Sequence, residues 1–131
     1  MNAVTYHQAF VQAIGGIAAI TRSEIAFHEI DDNECYVKAS LVFATGHVLH
    51  VAEYVVLNGD EVVRLKYRYQ LLDAQAKHIA RWDNAPHHSG LEDFPHHFYD
   101  ALGNVQSARK LTPLDAVVLS LGLIEDAGTR E

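Results

Sequence analysis

Ala3, Tyr6, Phe10, Ala13 and Ile14 recur at three- and four-residue intervals, the spacing that lines one face of a helix. Asn2 stands where a cap belongs and Gly15-Gly16 where a helix stops, so a helix is predicted over 2–14. Over 17–30 the helix and strand templates fit about equally, and the β-branched and aromatic residues Ile20, Thr21, Ile25, Phe27 and Ile30 favour a strand. Beyond the turn cluster Asp31-Asp32-Asn33, the residues Cys35, Val37, Ala39, Leu41 and Phe43 alternate with more polar positions, which marks a half-buried strand. Thr45-Gly46 reverses the chain into a strand over 47–57, with Leu49, Val51, Val55 and Leu57 in one phase. Asn58-Gly59 is a strong hairpin signal. The strand after it, over 61–71, puts Val63, Leu65, Tyr67, Tyr69 and Leu71 on one side and Arg64, Lys66 and Arg68 on the other. A turn at Asp73-Ala74-Gln75 leads to the last strand of the meander, over 77–82.

The stretch 83–104 holds two of the three prolines together with glycine and reads as a long ordered loop, a feature that is usually functional in a small domain. Thr112-Pro113-Leu114-Asp115 then opens a final helix: a hydroxyl cap, a proline at the first helical position and an acid in the first turn. Leu114, Val117, Val118 and Leu121 are expected to lay it on the sheet. The class is α+β, an antiparallel meander with an N-terminal and a C-terminal helix packed on it, in one domain over 1–131.

Composition narrows the function. With 131 residues, 49% hydrophobic and 21% charged, the chain can build one core, which excludes disordered and fibrous classes. No apolar run nears the roughly 18 residues of a membrane span, and the start lacks the basic region of a signal peptide. A lone cysteine, Cys35, cannot close an internal disulfide, so a cytoplasmic protein is expected. The net charge of −7 argues against nonspecific coating of nucleic acid but leaves room for a local basic site. Nine histidines are the unusual entry.

Four of them concentrate in the loop, where Pro86-His87-His88 is repeated as Pro95-His96-His97 nine residues on. Each proline stiffens its backbone, as a site that must hold imidazoles in place requires. Neighbours on extended chain point to opposite sides, so at most one histidine of each pair is expected to face a common centre. Two opposed imidazoles near neutral pH supply a base and an acid together. In RNA cleavage the base takes the ribose 2′-hydroxyl proton and the acid protonates the departing 5′-oxygen, with Arg81 to stabilise the phosphorane and no cofactor required. Asp83 is placed to orient an imidazole. Arg64, Lys66 and Arg68 form a stripe for a phosphate backbone, or else a plain solvated face. The same loop has two other readings: a metal site of one histidine from each pair with Asp83, or a rigid turn whose imidazoles bond main-chain carbonyls. Glu53 shares the apolar phase of its strand, so it must be paired or neutral there, and Arg81 is a candidate partner as well as a catalytic neighbour. His7, His28, His47, His50 and His78 are given no role.

These residues resemble a known family. Leu49-His50-Val51-Ala52-Glu53-Tyr54, Tyr67-Arg68-Tyr69, Arg81-Trp82-Asp83-Asn84-Ala85-Pro86-His87-His88 and Phe94-Pro95-His96-His97 are similar to the TumE family of toxin–antitoxin toxins, over about 37–124. The first helix lies outside that likeness. Where the family often carries a further basic-His step, Phe98-Tyr99 stands here, which moves one role to Tyr99. The resemblance implies a toxin held inactive by a cognate helix-turn-helix antitoxin. The residues then suggest metal-independent RNA cleavage by His87 or His88 with His96 or His97. The alternatives are a non-catalytic protein-binding module and a metal-dependent hydrolase. An exposed edge strand would suit either the antitoxin or a homodimer.

Overall fold

Among the described residues each strand pairs with its neighbours in the chain. In the computed structural model, which describes residues 1–91 and 94–129, the order is α1 (Ala3–Gly15), β1 (Ile20–Asp31), β2 (Glu34–Phe43), β3 (Val48–Asn58), β4 (Glu61–Leu72), β5 (His78–Asp83), β6 (His97–Tyr99), β7 (Val105–Ser107) and α2 (Pro113–Thr129). The strands form one antiparallel sheet in sequence order. Short reversals suffice for such a meander, because antiparallel neighbours need no crossover. Both helices cover one face and the other stays open, as antiparallel sheets allow. On the covered face Cys35, Val37, Leu41, Leu49, Val51, Val55, Tyr69, Leu71, Ala80 and Trp82 meet Tyr6, Phe10 and Ile14 of α1 and Ala116 and Val117 of α2. None of the helices among the described residues is long and apolar enough to cross a membrane.

Asn2 caps α1 through a reciprocal pair with Thr5, the Asn2 side chain accepting from the Thr5 N–H at 2.9 Å. In the same way Thr112 caps α2: its N–H donates to Asp115 at 2.9 Å and its hydroxyl accepts from the Asp115 N–H at 3.2 Å.

Four expectations shift. Beyond β5 the sheet continues into β6 and β7, inside what reads as loop in the sequence; three-residue strands are too short to display alternation. The Asn58-Gly59 hairpin turns one residue later, because Asn58 still pairs with Glu61 and the two-residue loop is Gly59-Asp60. Positive φ at Gly59 (62°), and not at Asp60, is the type II′ pattern. A bulge at Leu65 breaks the phase of β4, since Val55 faces Arg64 while Tyr54 faces Lys66. Tyr67, Tyr69 and Leu71 turn inward as expected, but Leu65 is 53% exposed and Arg64 falls on the covered face. Finally, α2 buries Ala116, Val117 and Ser120, leaving Leu114 and Val118 exposed. Leu111, buried just before the helix, anchors it so that the small residues approach the sheet.

Arg64, rather than Arg81, is therefore the partner of Glu53. Its Nε donates to Glu53 Oε2 at 2.8 Å, the Tyr6 hydroxyl donates to Oε1, and Arg64 Nη2 donates to Tyr6 Oη at 3.1 Å. Tyr69 Oη lies 3.5 Å from both Glu53 Oε2 and the Leu111 carbonyl. A buried carboxylate needs this kind of enclosure by donors. Burial, reinforced by the Glu53 charge, pushes the Tyr6 and Tyr69 hydroxyls well above their ordinary titration range, so both remain donors. The cluster ties α1 to β3 and β4, beneath the open face.

Candidate active site

The open face reads in rows across the strands. One row runs Lys38, Ala52, Arg68, Asp83, His97 and the next Ser40, His50, Gln70, Arg81, Tyr99. β6 thus carries His97 alongside Asp83 and Tyr99 alongside Arg81, in positions fixed by main-chain pairing. Opposite alternation sends His96 to the covered side, where its Nδ1 lies 2.7 Å from Tyr67 Oη. Burial pushes that tyrosine's hydroxyl up to about 12, so it serves as a hydrogen-bond partner rather than an anion near neutral pH.

Between β5 and β6, His88 and Phe94 pack their rings against His97 of β6. The peptide Phe94-Pro95 is cis, and His88 has a left-handed backbone, φ 57°. The second proline pair and the first meet there: the His88 and His97 rings are 5.3 Å apart between centroids, with Tyr99 6.2 Å from His88 and His87 6.5 Å from it. His97 is fully buried, and among the described residues neither of its ring nitrogens has a hydrogen-bond partner. Its Nδ1 lies 3.7 Å from Asp83 Oδ1, an ion-pair separation rather than a hydrogen bond. Asp83 also faces Arg81, Nε to Oδ2 at 3.1 Å, and accepts from the Ala85 N–H at 3.3 Å. The Arg81 guanidinium lies 4.0 Å over the Tyr99 ring, a cation–π contact.

A groove of about 780 Å³ opens beside this cluster, lined by Arg81, Asp83, His87, Phe94 and Tyr99 and, toward β2–β4, by Lys38, Tyr54, Lys66 and Arg68. Each residue singled out in the sequence therefore has a place. His87, His88, His97, Arg81 and Asp83 gather at one corner of the open face; both members of the first pair are there, against the expectation of one, because the left-handed backbone at His88 breaks the extended alternation. Lys66 and Arg68 lie along the groove. His96 is turned to the other side of the sheet, and Glu53 and Arg64 lock to each other beneath it, which takes Arg64 out of the basic stripe. Lys38 and Tyr99 line the same groove. Tyr99 was legible from its place after the second histidine pair; Lys38 had only its polar phase on an amphipathic strand to mark it. Among the described residues no group of three His, Cys, Asp or Glu side chains is gathered to hold a metal ion. Four of the five histidines left without a role have structural contacts: His78 Nε2 lies 2.8 Å from the Asp100 carbonyl, His50 bonds Ser40, His47 bonds Thr45, and His7 stacks on Phe27.

The family model described as Toxin TumE matches residues 12–123, and the chain belongs to this family. The match extends further toward the N-terminus than the motifs suggest, taking in the end of α1 and all of β1. Membership makes an antitoxin its partner. No curated protein and no solved structure matches the chain.

Proposed function

We propose that the protein is an RNA-cleaving toxin that works by imidazole acid–base chemistry without a metal, as one domain over 1–131. The observation that supports this reading is the convergence of His88 on His97, with Asp83 and Arg81 behind them, at the edge of a groove lined by Lys66 and Arg68.

The roles follow from exposure. His87 and His88 are exposed and reach substrate, whereas His97 is buried. One exposed imidazole takes the proton of the ribose 2′-hydroxyl as that oxygen attacks phosphorus. The other gives a proton to the 5′-oxygen as the P–O5′ bond breaks, leaving a 2′,3′-cyclic phosphate and a 5′-hydroxyl. Buried His97 is a positioning residue that holds His88 from below, with Asp83 setting its orientation. Arg81 faces the groove over Tyr99 and stabilises the charge that builds on the phosphorane. Lys66 and Arg68 hold flanking phosphates. In this reading His96 and Glu53 support the fold around the site.

The test is total RNA incubated with purified protein in EDTA. Fragments ending in 2′,3′-cyclic phosphate are expected, and their loss in His88→Ala. Activity that appears only with added metal would instead favour a metal-dependent hydrolase, and intact RNA beside a tight antitoxin complex a binding module. We read the antitoxin as a helix-turn-helix protein encoded nearby, and the cytoplasm as the compartment where it and RNA are met. The sheet edges at β1 and β7 are where antitoxin or a second copy would add, which size-exclusion chromatography of each species measures.

A further inference from the structure

We propose that the open sheet face beyond the histidine corner, across β1–β4, is a track for single-stranded RNA, with Arg22, Lys38 and Arg68 on phosphates and Tyr36 as a base platform. This rests on reading the corner as an RNA-cleaving site and adds the form of RNA it takes.

The groove beside the corner does not end there. A hollow of about 510 Å³ shares Lys38, Ala52 and Arg68 with it and is lined further by Glu24, Ser40, His50 and Gln70. A third, of about 290 Å³, shares Glu24, Ser40 and His50 with the second and reaches Arg22. Residue size explains the continuity. Ala52 stands between Lys38 and Arg68 and Ala26 on the outer side of Lys38, so the sheet surface is low on both sides of that lysine. Four strand spacings separate β1 from β5, a run of about 19 Å.

Charge identifies the occupant. In a chain of net charge −7, five of the ten Lys and Arg residues (Arg22, Lys38, Lys66, Arg68 and Arg81) line these hollows. Four of the seventeen acids do so; Glu53 is committed to Arg64, and Asp83 and Arg81 pair with each other, which leaves Arg22, Lys38, Lys66 and Arg68 against Glu24 and Asp73. Half of the basic residues of an acidic protein are thus collected on the broad sheet face that the helices leave uncovered, which is the electrostatic footprint of a polyanion. A single strand fits better than a duplex. Tyr36 is 41% exposed and stands edge-on to Tyr54, ring centroids 4.6 Å apart, so its ring is braced and open to stacking. The hollows are of a size to admit bases, which an A-form duplex keeps inside its stack.

The measurement is fluorescence anisotropy with a labelled, 2′-O-methylated single strand of about 12 nucleotides, which cannot be cleaved, and with the same strand in a duplex. Wild type is expected to prefer the single strand by on the order of 10-fold, since the duplex offers no bases to stack. Tyr36→Ala should lose on the order of 10-fold in affinity. Arg22→Ala with Lys38→Ala should weaken binding and lower the slope of log K against log salt by about 1.4, roughly 0.7 for each phosphate contact on a single strand. All three side chains are exposed, and circular dichroism melts confirm that the variants fold. If the double variant keeps wild-type affinity and slope, or if the duplex binds as well as the single strand, the track is overturned, while wild-type cleavage in EDTA still upholds the corner. If wild type neither binds nor cleaves RNA, both readings fall.

Discussion

The Glu53–Arg64 pair is the point at which the structure departs furthest from the strand pattern, and its energetics can be measured. Glu53 is 2% exposed, and the Arg64 guanidinium meets it at 2.8 Å. At that separation and an effective dielectric near 20 the attraction is about 6 kcal/mol, most of it offset by the cost of burying both charges. Arg64→Met removes the attraction and leaves the desolvation of the carboxylate uncompensated, a loss of about 3–5 kcal/mol. The Tyr6 hydroxyl still donates to Glu53, which argues for the lower end, about 3 kcal/mol. For a chain of 131 residues, with an unfolding entropy near 2.1 cal/mol/K per residue, that lowers Tm by about 10 °C. Glu53→Gln in the same background removes the stranded charge but keeps an acceptor for Tyr6, so the double variant should recover part of the loss. A double-mutant cycle from thermal and urea melts should give a coupling of at least about 1.5 kcal/mol. A Tm for Arg64→Met within about 3 °C of wild type, roughly 1 kcal/mol, would refute the reasoning, as would strict additivity. Lost RNA affinity at unchanged stability would return Arg64 to the phosphate-binding stripe.

Three further outcomes are expected. Burial pushes the Cys35 thiol up to about 11, so iodoacetamide at pH 8 should leave the native protein unmodified and label it fully in urea, as read by mass spectrometry. Because this thiol's folded pKa lies above its ordinary 9.0, its contribution to stability is complete below pH 9 and is lost as pH rises from 9 toward 11, which chemical denaturation at stepped pH should reveal. Asp83→Asn removes the charge between Arg81 and His97; RNA cleavage should fall by on the order of 10²-fold with the pH optimum displaced, whereas a purely structural role would lower Tm and leave the pH profile of residual activity unmoved. Asn2→Ala strips the cap of α1 and should cost about 1 kcal/mol in urea melts, with no change in cleavage.

Short-range pattern determined a great deal. The α1 stripe, the four long strands β1–β4, most of β5 and the caps of both helices were legible because each depends on residues within a few positions of one another. The α+β meander follows, since successive amphipathic strands joined by tight turns have an antiparallel sheet as their simplest arrangement. The double Pro-His-His loop was also legible as the place where candidate side chains concentrate. Tertiary structure decided the rest. One bulged residue at Leu65 inverts the phase of the first half of β4 and carries Arg64 to Glu53, a result of strand pairing that alternation cannot foresee. β6 is three residues long and exists because β5 offers it an edge; that pairing, not the proline spacing, sets His97 beside Asp83 and sends His96 to the opposite face. The basic face is likewise a cross-strand property: Arg22, Lys38 and Arg68 are remote in the chain and come to share one face only because the sheet places successive strands about 5 Å apart.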